Sequence, residues 1–316
     1  MIFLVTGAGG FIGSHLAEFL ILEGHKVHLF SRKKNSLLDK LGSHSSIHIG
    51  DIKDEKYINQ IIQNTKPDVI IHLAAQSFPT HSWEEPVSTF NVNVNGTINI
   101  LESVRKAGND TLVISVCSSA EYAPSTNSDP IKECQDLIPS NPYGVSKLAQ
   151  DHITRVYGEM YSIRTIRCRP FFLVGARKDG DVYSSFAKQI VRIERNNKIV
   201  FRVGNLDNVR DILDIHDGVR AIYTLCEKGK TGEVYNICSG EGHSIKNILN
   251  TMKSLTNVEI NEKIDHSLIR AKDERVVVGD PSKIKGLGWS PRYKLKTTLK
   301  DILDYWRSKE QKSSAE

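Results

Sequence analysis

Thr6-Gly7-Ala8-Gly9-Gly10-Phe11-Ile12-Gly13 lies between Ile2-Phe3-Leu4-Val5, a β-branched and apolar run that reads as a strand, and Phe11 to Glu23, whose apolar residues recur at helical spacing. Glycines at 7, 10 and 13 in a strand–turn–helix setting suit a dinucleotide seat. They permit a tight turn, let backbone approach a pyrophosphate, and let the helix pack closely on the strand; the helix N-terminus then stabilises the phosphate charge.

Outward from that turn the pattern repeats. Lys26 to Phe30 reads as a second strand, and Asp68 to Leu73 and Thr111 to Val116 read as buried strands of a parallel sheet. Between the latter two runs a helical stretch from about Val87 to Ala107, which Gly108-Asn109-Asp110 ends. This alternation predicts an α/β fold, a Rossmann doubly wound parallel sheet with a smaller C-terminal α/β lobe. Residues 1–170 are expected to form the dinucleotide-binding domain, with segments at about 205–240 returning to it, and 171–316 mainly the substrate lobe. Helices at Val182–Arg195, Ser244–Leu255 and Leu295–Trp306 and a strand at Val234–Ile237 are grouped with that later part.

Size and composition fit this picture. The 316 residues suit one large α/β unit with an added lobe, and 39% hydrophobic with 25% charged residues is ordinary for a globular chain. No run is long and apolar enough for a membrane span, and Ile2-Phe3-Leu4-Val5 lacks the basic lead of a signal peptide. The five scattered cysteines lack Cys-x-x-Cys spacing and read as reduced thiols of a cytoplasmic protein. Eleven histidines show no zinc spacing, so no metal is expected. A net charge of +5 spread along the chain permits anionic small molecules and does not argue for nucleic acid.

Chemistry enters with Tyr143-Gly144-Val145-Ser146-Lys147. Residues four apart share a helix face, so a phenol and an ammonium project together. A free phenol, with a pKa of about 10, is a poor base at neutral pH, and a neighbouring cation favours its ionised form. Ser118-Ser119 follows a strand at the end where a parallel sheet places its ligands, so a hydroxyl there can meet the reacting oxygen. Tyr305 and Lys309 repeat the spacing in a late amphipathic helix and read as packing. After the second strand, Ser31-Arg32-Lys33-Lys34 offers cations for a 2′-phosphate where an NAD protein commonly has a carboxylate. NADP(H) is therefore the favoured cofactor, with NAD(H) the alternative.

Together these residues resemble the extended short-chain dehydrogenase/reductases that act on nucleotide sugars. Gly7, Gly10, Phe11, Ile12 and Gly13 match the family's glycine turn, and Asp51-Ile52 its adenine contact. His72-Leu73-Ala74-Ala75-Gln76-Ser77 matches the loop beneath the pyrophosphate, with Leu73, Ala74 and Ala75 toward the cofactor and Ser77 toward the substrate. Asn93 matches a structural Asn on the cofactor side, and Ser119, Tyr143 and Lys147 fall on catalytic positions. The resemblance implies that Lys147 binds the nicotinamide ribose and lowers the Tyr143 pKa, Tyr143 exchanges the proton, and Ser119 orients the sugar oxygen.

Later segments are most similar to GDP-6-deoxy-4-ketohexose reductases and GDP-mannose 4,6-dehydratases. By that similarity Lys188, Arg210 and Arg270 face a nucleotide diphosphate and Asp273 its ribose. The implied reaction is NADPH-dependent reduction at C4 of a GDP-4-keto-6-deoxyhexose, giving a product such as GDP-rhamnose, by a homodimer. Glu121 keeps a redox-neutral dehydratase or epimerase in view, since the dehydratases use a Glu there as acid/base, although similar reductases also carry Ser-Ala-Glu. A noncatalytic dinucleotide sensor is the reading from another class. Two departures stand out: Tyr122-Ala123-Pro124 after Glu121, and Phe172 where relatives have an Asn donor after Arg-Pro-Phe.

Overall fold

In the computed structural model, which describes residues 1–124, 129–195, 199–269 and 274–313, seven parallel strands make the main sheet. They are β1 (Ile2–Thr6), β2 (Lys26–Ser31), β3 (Ser46–Ile49), β4 (Val69–His72), β5 (Leu112–Val116), β6 (Thr165–Pro170) and, later in the chain, β10 (Val234–Ile237). Their order across the sheet is β10-β6-β5-β4-β1-β2-β3. The chain thus winds outward from β1 in one direction and then returns to its other side through β4. At that reversal, between the carboxyl ends of β1 and β4, a doubly wound sheet opens a ligand crevice.

The central strands β1, β4 and β5 are buried along nearly their whole length and mostly apolar because both faces are covered. Side chains alternate across the sheet, so Phe3 and Val5 join Leu16, Leu20 and Ile222 on one face, while Leu4 joins Phe30, Ile62, Ile70 and Leu101 on the other. Helix α1 (Phe11–Leu22) contributes to the first of these cores. The helix Ile215–Lys228 packs there too, through Val219, Ile222 and Leu225.

A separate apolar cluster is built by Tyr183, Phe186, Ile190, Phe201, Ile248, Met252 and Leu303. Two small sheets accompany it. One joins β7 (Phe172–Val174), β9 (Val209–Asp214), β11 (Gly242–Ser244) and β13 (Val276–Val277); the other pairs β8 (Phe201–Val203) with β12 (Glu262–Ile264).

Two local expectations are corrected. Val234–Ile237, grouped with the later elements although it falls in the 205–240 stretch expected to return to the first domain, pairs with β6 at the edge of the main sheet, where Tyr235 and Ile237 enter the first core. The Val87–Ala107 stretch is not uniformly α-helical, because Asn91–Asn95 forms a π-helical turn between Pro86–Phe90 and Gly96–Ala107. Gly108 ends the second helix at φ 64°, a left-handed stop that glycine tolerates. Among the described residues no helix is long and apolar enough to cross a membrane.

Candidate active site

The glycine turn folds tightly beneath the loop that follows β4. Gly7 has φ +73°, and a Cβ there would lie 2.8 Å from the Ala74 nitrogen. A Cβ on Gly13 would lie 2.3 Å from the Gly7 carbonyl oxygen, so only hydrogen lets α1 rest on the turn. Gly10 caps α1 with no side-chain hydrogen bond, and the first turn holds no acidic residue. The amides that open at Phe11 and Ile12 thus face the crevice end of the sheet without a competing cap, which fits a dinucleotide pyrophosphate.

Thr6 ties the turn to its neighbours. Its hydroxyl accepts from the Leu73 and Ala74 amides at 3.1 and 3.2 Å and meets His72 Nδ1 at 2.8 Å. His72 Nε2 meets the Thr97 hydroxyl at 3.0 Å, and Thr97 donates to the Asn93 carbonyl at 2.6 Å. Burial holds the His72 pKa down at about 3, with the Lys147 charge adding to the effect, so the ring is neutral. Ala75 and Ser77 continue this loop, Ala75 partly buried and Ser77 exposed.

The Ser31–Asn35 segment covers the turn from the β2 side. Asn35 donates to the Gly9 carbonyl at 3.0 Å, and a Cβ on Gly9 would meet Ser31 Oγ at 2.8 Å. Arg32 and Lys33 project from this segment into solvent. Asp51 accepts from the Lys53 amide at 3.0 Å just past β3, and Ile52 is buried against Gly96.

Tyr143 and Lys147 lie on the helix Pro142–Tyr161, which starts with the Asn141 side chain accepting from the Gly144 amide. A Cβ on Gly144 would sit 2.3 Å from the Ala120 carbonyl oxygen, so this helix rests directly on the turn Ser119–Glu121. Burial pushes the Tyr143 pKa up to about 12; a hydrogen bond from Ser118 opposes the rise, and the charges of Glu121 and Cys117 add to it. Lys147 is buried, donating to the Val116 carbonyl and to Gln150 Oε1, both at 2.8 Å. Burial lowers its pKa. Two of its three N–H donors are thereby fixed, and one is left for a ligand.

Several expected site residues occupy other settings. Asn93 is fully buried, with its amide used on Gln76 and Ser146, so it braces the site instead of reaching a cofactor. Ser119 is partly exposed, and it is the neighbouring Ser118 whose side chain opposes the rise in the Tyr143 pKa. Glu121 departs furthest from expectation: at 0% exposure its carboxylate faces Arg169 at 3.1 Å, not an open cleft. The alternate β6 residues Arg167 and Arg169 both pair with Asp151 at 3.0 Å, completing a buried charge cluster.

Toward the substrate side, Arg210 is nearly buried, with its guanidinium 5.5 Å from the centre of the Phe172 ring. The departure at Phe172 therefore replaces an amide donor with an aromatic face against that cation. Lys188 pairs with Asp179 at 2.5 Å and lies over Trp306 at 4.2 Å. Arg270 and Asp273 lie outside the described residues. Tyr305 packs edge-on against Trp306 with the Lys309 ammonium 5.8 Å from its ring centre, a packing arrangement like the one expected for this pair.

Sequence reading missed Ser146, Gln150 and the Asp151–Arg169 pair. Helical spacing could have found Gln150 and Asp151, three and four residues past Lys147, and strand alternation could have aligned Arg167 with Arg169.

Known proteins resemble the chain along nearly its whole length. The family model described as GDP-mannose 4,6 dehydratase matches residues 4–302. A GDP-6-deoxy-D-mannose reductase of Pseudomonas aeruginosa is 30% identical over 311 residues, covering 96% of this chain and 97% of that protein. The structure of RMD from Pseudomonas aeruginosa complexed with NADPH is 28% identical with a TM-score of 0.85, covering 98% of this chain and 99% of the other. A UDP-glucose 4-epimerase of Thermotoga maritima, solved with UDP-glucose, is 27% identical with a TM-score of 0.89, covering 98% and 100%.

Proposed function

We propose that this chain, which belongs to the GDP-mannose 4,6 dehydratase family and is an NAD(P)-dependent nucleotide-sugar enzyme, reduces the C4 keto group of a GDP-4-keto-6-deoxyhexose with NADPH. The observation that carries the reductive reading is the burial of Glu121 in the Arg169 cluster. Water elimination needs an acid/base at the sugar carbon, and a carboxylate with no exposed surface cannot serve there while that turn stays closed. Tyr143, Lys147 and the Ser118–Ser119 hydroxyls remain, which suffice for carbonyl reduction.

In this mechanism bound NADPH supplies the hydride. Residues of the glycine turn (Gly7, Gly10, Phe11, Ile12, Gly13) and of the Leu73–Ala75 loop hold the dinucleotide, with Asp51 and Ile52 at the adenine and Arg32 and Lys33 at the 2′-phosphate. Lys147 keeps its third N–H for the nicotinamide ribose, and its charge favours a Tyr143 phenolate. Tyr143 delivers its proton to the C4 oxygen as negative charge develops, while Ser119 donates a hydrogen bond to that oxygen. The elements of 171–316 take the nucleotide sugar, with Arg210 and Lys188 toward its diphosphate. A homodimer would cover the exposed Val87, Val156 and Met160.

The test is to supply GDP-mannose and GDP-4-keto-6-deoxymannose separately, following NADPH absorbance and product mass. The reading expects NADPH oxidation with the keto sugar alone. Conversion of an unreduced nucleotide sugar without NADPH loss would instead establish redox-neutral chemistry.

A further inference from the structure

We infer that Glu121 is a positioning residue: from its buried charge cluster it holds Ser118, and through Ser118 the phenol of Tyr143, without meeting substrate itself. This rests on the reading of Tyr143 as the proton donor. Glu121 Oε1 accepts from the Ser118 amide at 2.9 Å, while Ser118 Oγ accepts from the Ala120 amide at 3.1 Å. These reciprocal bonds close a capping box over the single turn Ser119–Glu121. The Tyr143 helix rests on this same turn, since a Cβ on Gly144 would lie 2.3 Å from the Ala120 carbonyl oxygen, and from it the Ser118 hydroxyl opposes the rise in the Tyr143 pKa. One residue therefore separates the carboxylate from the proposed proton donor.

The other carboxylate oxygen explains why Glu121 stays where it is. Oε2 lies 3.1 Å from Arg169 Nε, but makes no hydrogen bond because that N–H is directed to Asp151 Oδ2 at 3.0 Å. The Cys117 thiol and one carboxylate oxygen each of Glu121 and Asp151 fall within 4.8 Å of one another. Lys147 and Tyr143 face the group from the helix, Arg169 from β6 and Tyr122 from the following turn. Withdrawing Glu121 toward a sugar would break the capping box and leave Arg169 with one carboxylate fewer. Burial and the neighbouring Asp151 charge raise the Glu121 pKa, with Arg169 opposing, so the side chain is an acceptor for Ser118 in either charge state.

Glutamine at this position keeps a carbonyl oxygen for the Ser118 amide and can offer its N–H to Asp151; alanine removes the acceptor and leaves that amide unpaired. The experiment compares Glu121→Gln, Glu121→Ala, Ser118→Ala and the Glu121→Ala/Ser118→Ala double variant in the presence of NADPH. In the keto-sugar assay, Glu121→Gln should retain kcat within about threefold, whereas Glu121→Ala should lower kcat about tenfold with KM and cofactor Kd unchanged. The double variant should be no slower than Ser118→Ala, since both substitutions break one chain of contacts. A second readout is ultraviolet titration of tyrosinate with NADP bound, corrected with Tyr143→Phe. The Tyr143 midpoint should rise in Ser118→Ala and rise less in Glu121→Ala, where the lost donor outweighs the removed charge. In Glu121→Gln it should hold or fall.

If Glu121→Gln is as slow as Glu121→Ala, or the single losses multiply in the double variant, Glu121 acts with its own proton and the inference is overturned. If the wild type leaves the keto sugar unchanged, the reductase reading fails separately, and the titration still decides this one: no rise in Glu121→Ala contradicts it.

Discussion

The Asn93 side-chain amide donates to Ser146 Oγ at 2.9 Å, joining the π-helical turn Asn91–Asn95 to the helix turn just before Lys147. Its oxygen accepts from the Gln76 amide at 2.7 Å and its nitrogen also donates to the Gln76 carbonyl at 3.0 Å. The loop after β4 and the Tyr143 helix are thereby fixed relative to one another by one buried side chain. Asn93→Ala leaves the Gln76 backbone groups unpaired, and should lower stability by about 2 kcal/mol in urea unfolding. A variant as stable as wild type would show that water or a neighbouring group replaces the amide.

Tyr143→Phe should abolish keto-sugar reduction while leaving NADPH affinity nearly intact, because the hydroxyl carries the proton and the ring carries the packing. Lys147→Met should impair both, since Val116 and Gln150 lose their donor. Fluorescence titration with NADPH separates the two effects. Loss of cofactor affinity in Tyr143→Phe equal to that in Lys147→Met would contradict the division of roles.

The exposed Arg32 tests cofactor choice. Arg32→Asp places a carboxylate where a ribose 2′-hydroxyl can be held and a 2′-phosphate is repelled. Its NADPH Kd should rise at least tenfold, about 1.4 kcal/mol, with NADH affected far less. Equal losses for both dinucleotides would place the 2′ group elsewhere.

His72 makes stability depend on pH. Its folded pKa of about 3 lies below the usual 6.5, so the unfolded chain binds the proton first as pH falls. This contribution is complete above 6.5 and is lost on acidification from there toward 3, at about 1.4 kcal/mol per pH unit. Urea midpoints between pH 7 and pH 5 should therefore fall more steeply in wild type than in His72→Gln. Parallel slopes would mean that His72 titrates normally in the folded protein.

Local signals explain what the sequence made legible. The glycine spacing, the strand before it and the helix after it are contiguous, and so is the Tyr143/Lys147 pair on one helix face. The aim of Asn93 was hidden because the π-helical turn Asn91–Asn95 shifts the register within an otherwise regular helical pattern. Glu121 misled for a different reason: Ser-Ala-Glu reads alike whether its carboxylate meets a sugar or an arginine. Its partner Arg169 comes from β6, far along the chain, and only the assembled sheet brings the two together. Phe172 could be noticed as a departure, while its contact with Arg210 depends on the parallel pairing of β7 with β9.

The central claim is that a hydride passes from NADPH to C4 of a GDP-4-keto-6-deoxyhexose. Incubation with NADPH deuterated at the transferable C4 position, followed by mass and proton spectra of the sugar, tests it most directly. The account predicts one deuterium at C4 of the product for each NADPH oxidised. An unlabelled product formed without NADPH oxidation would contradict it.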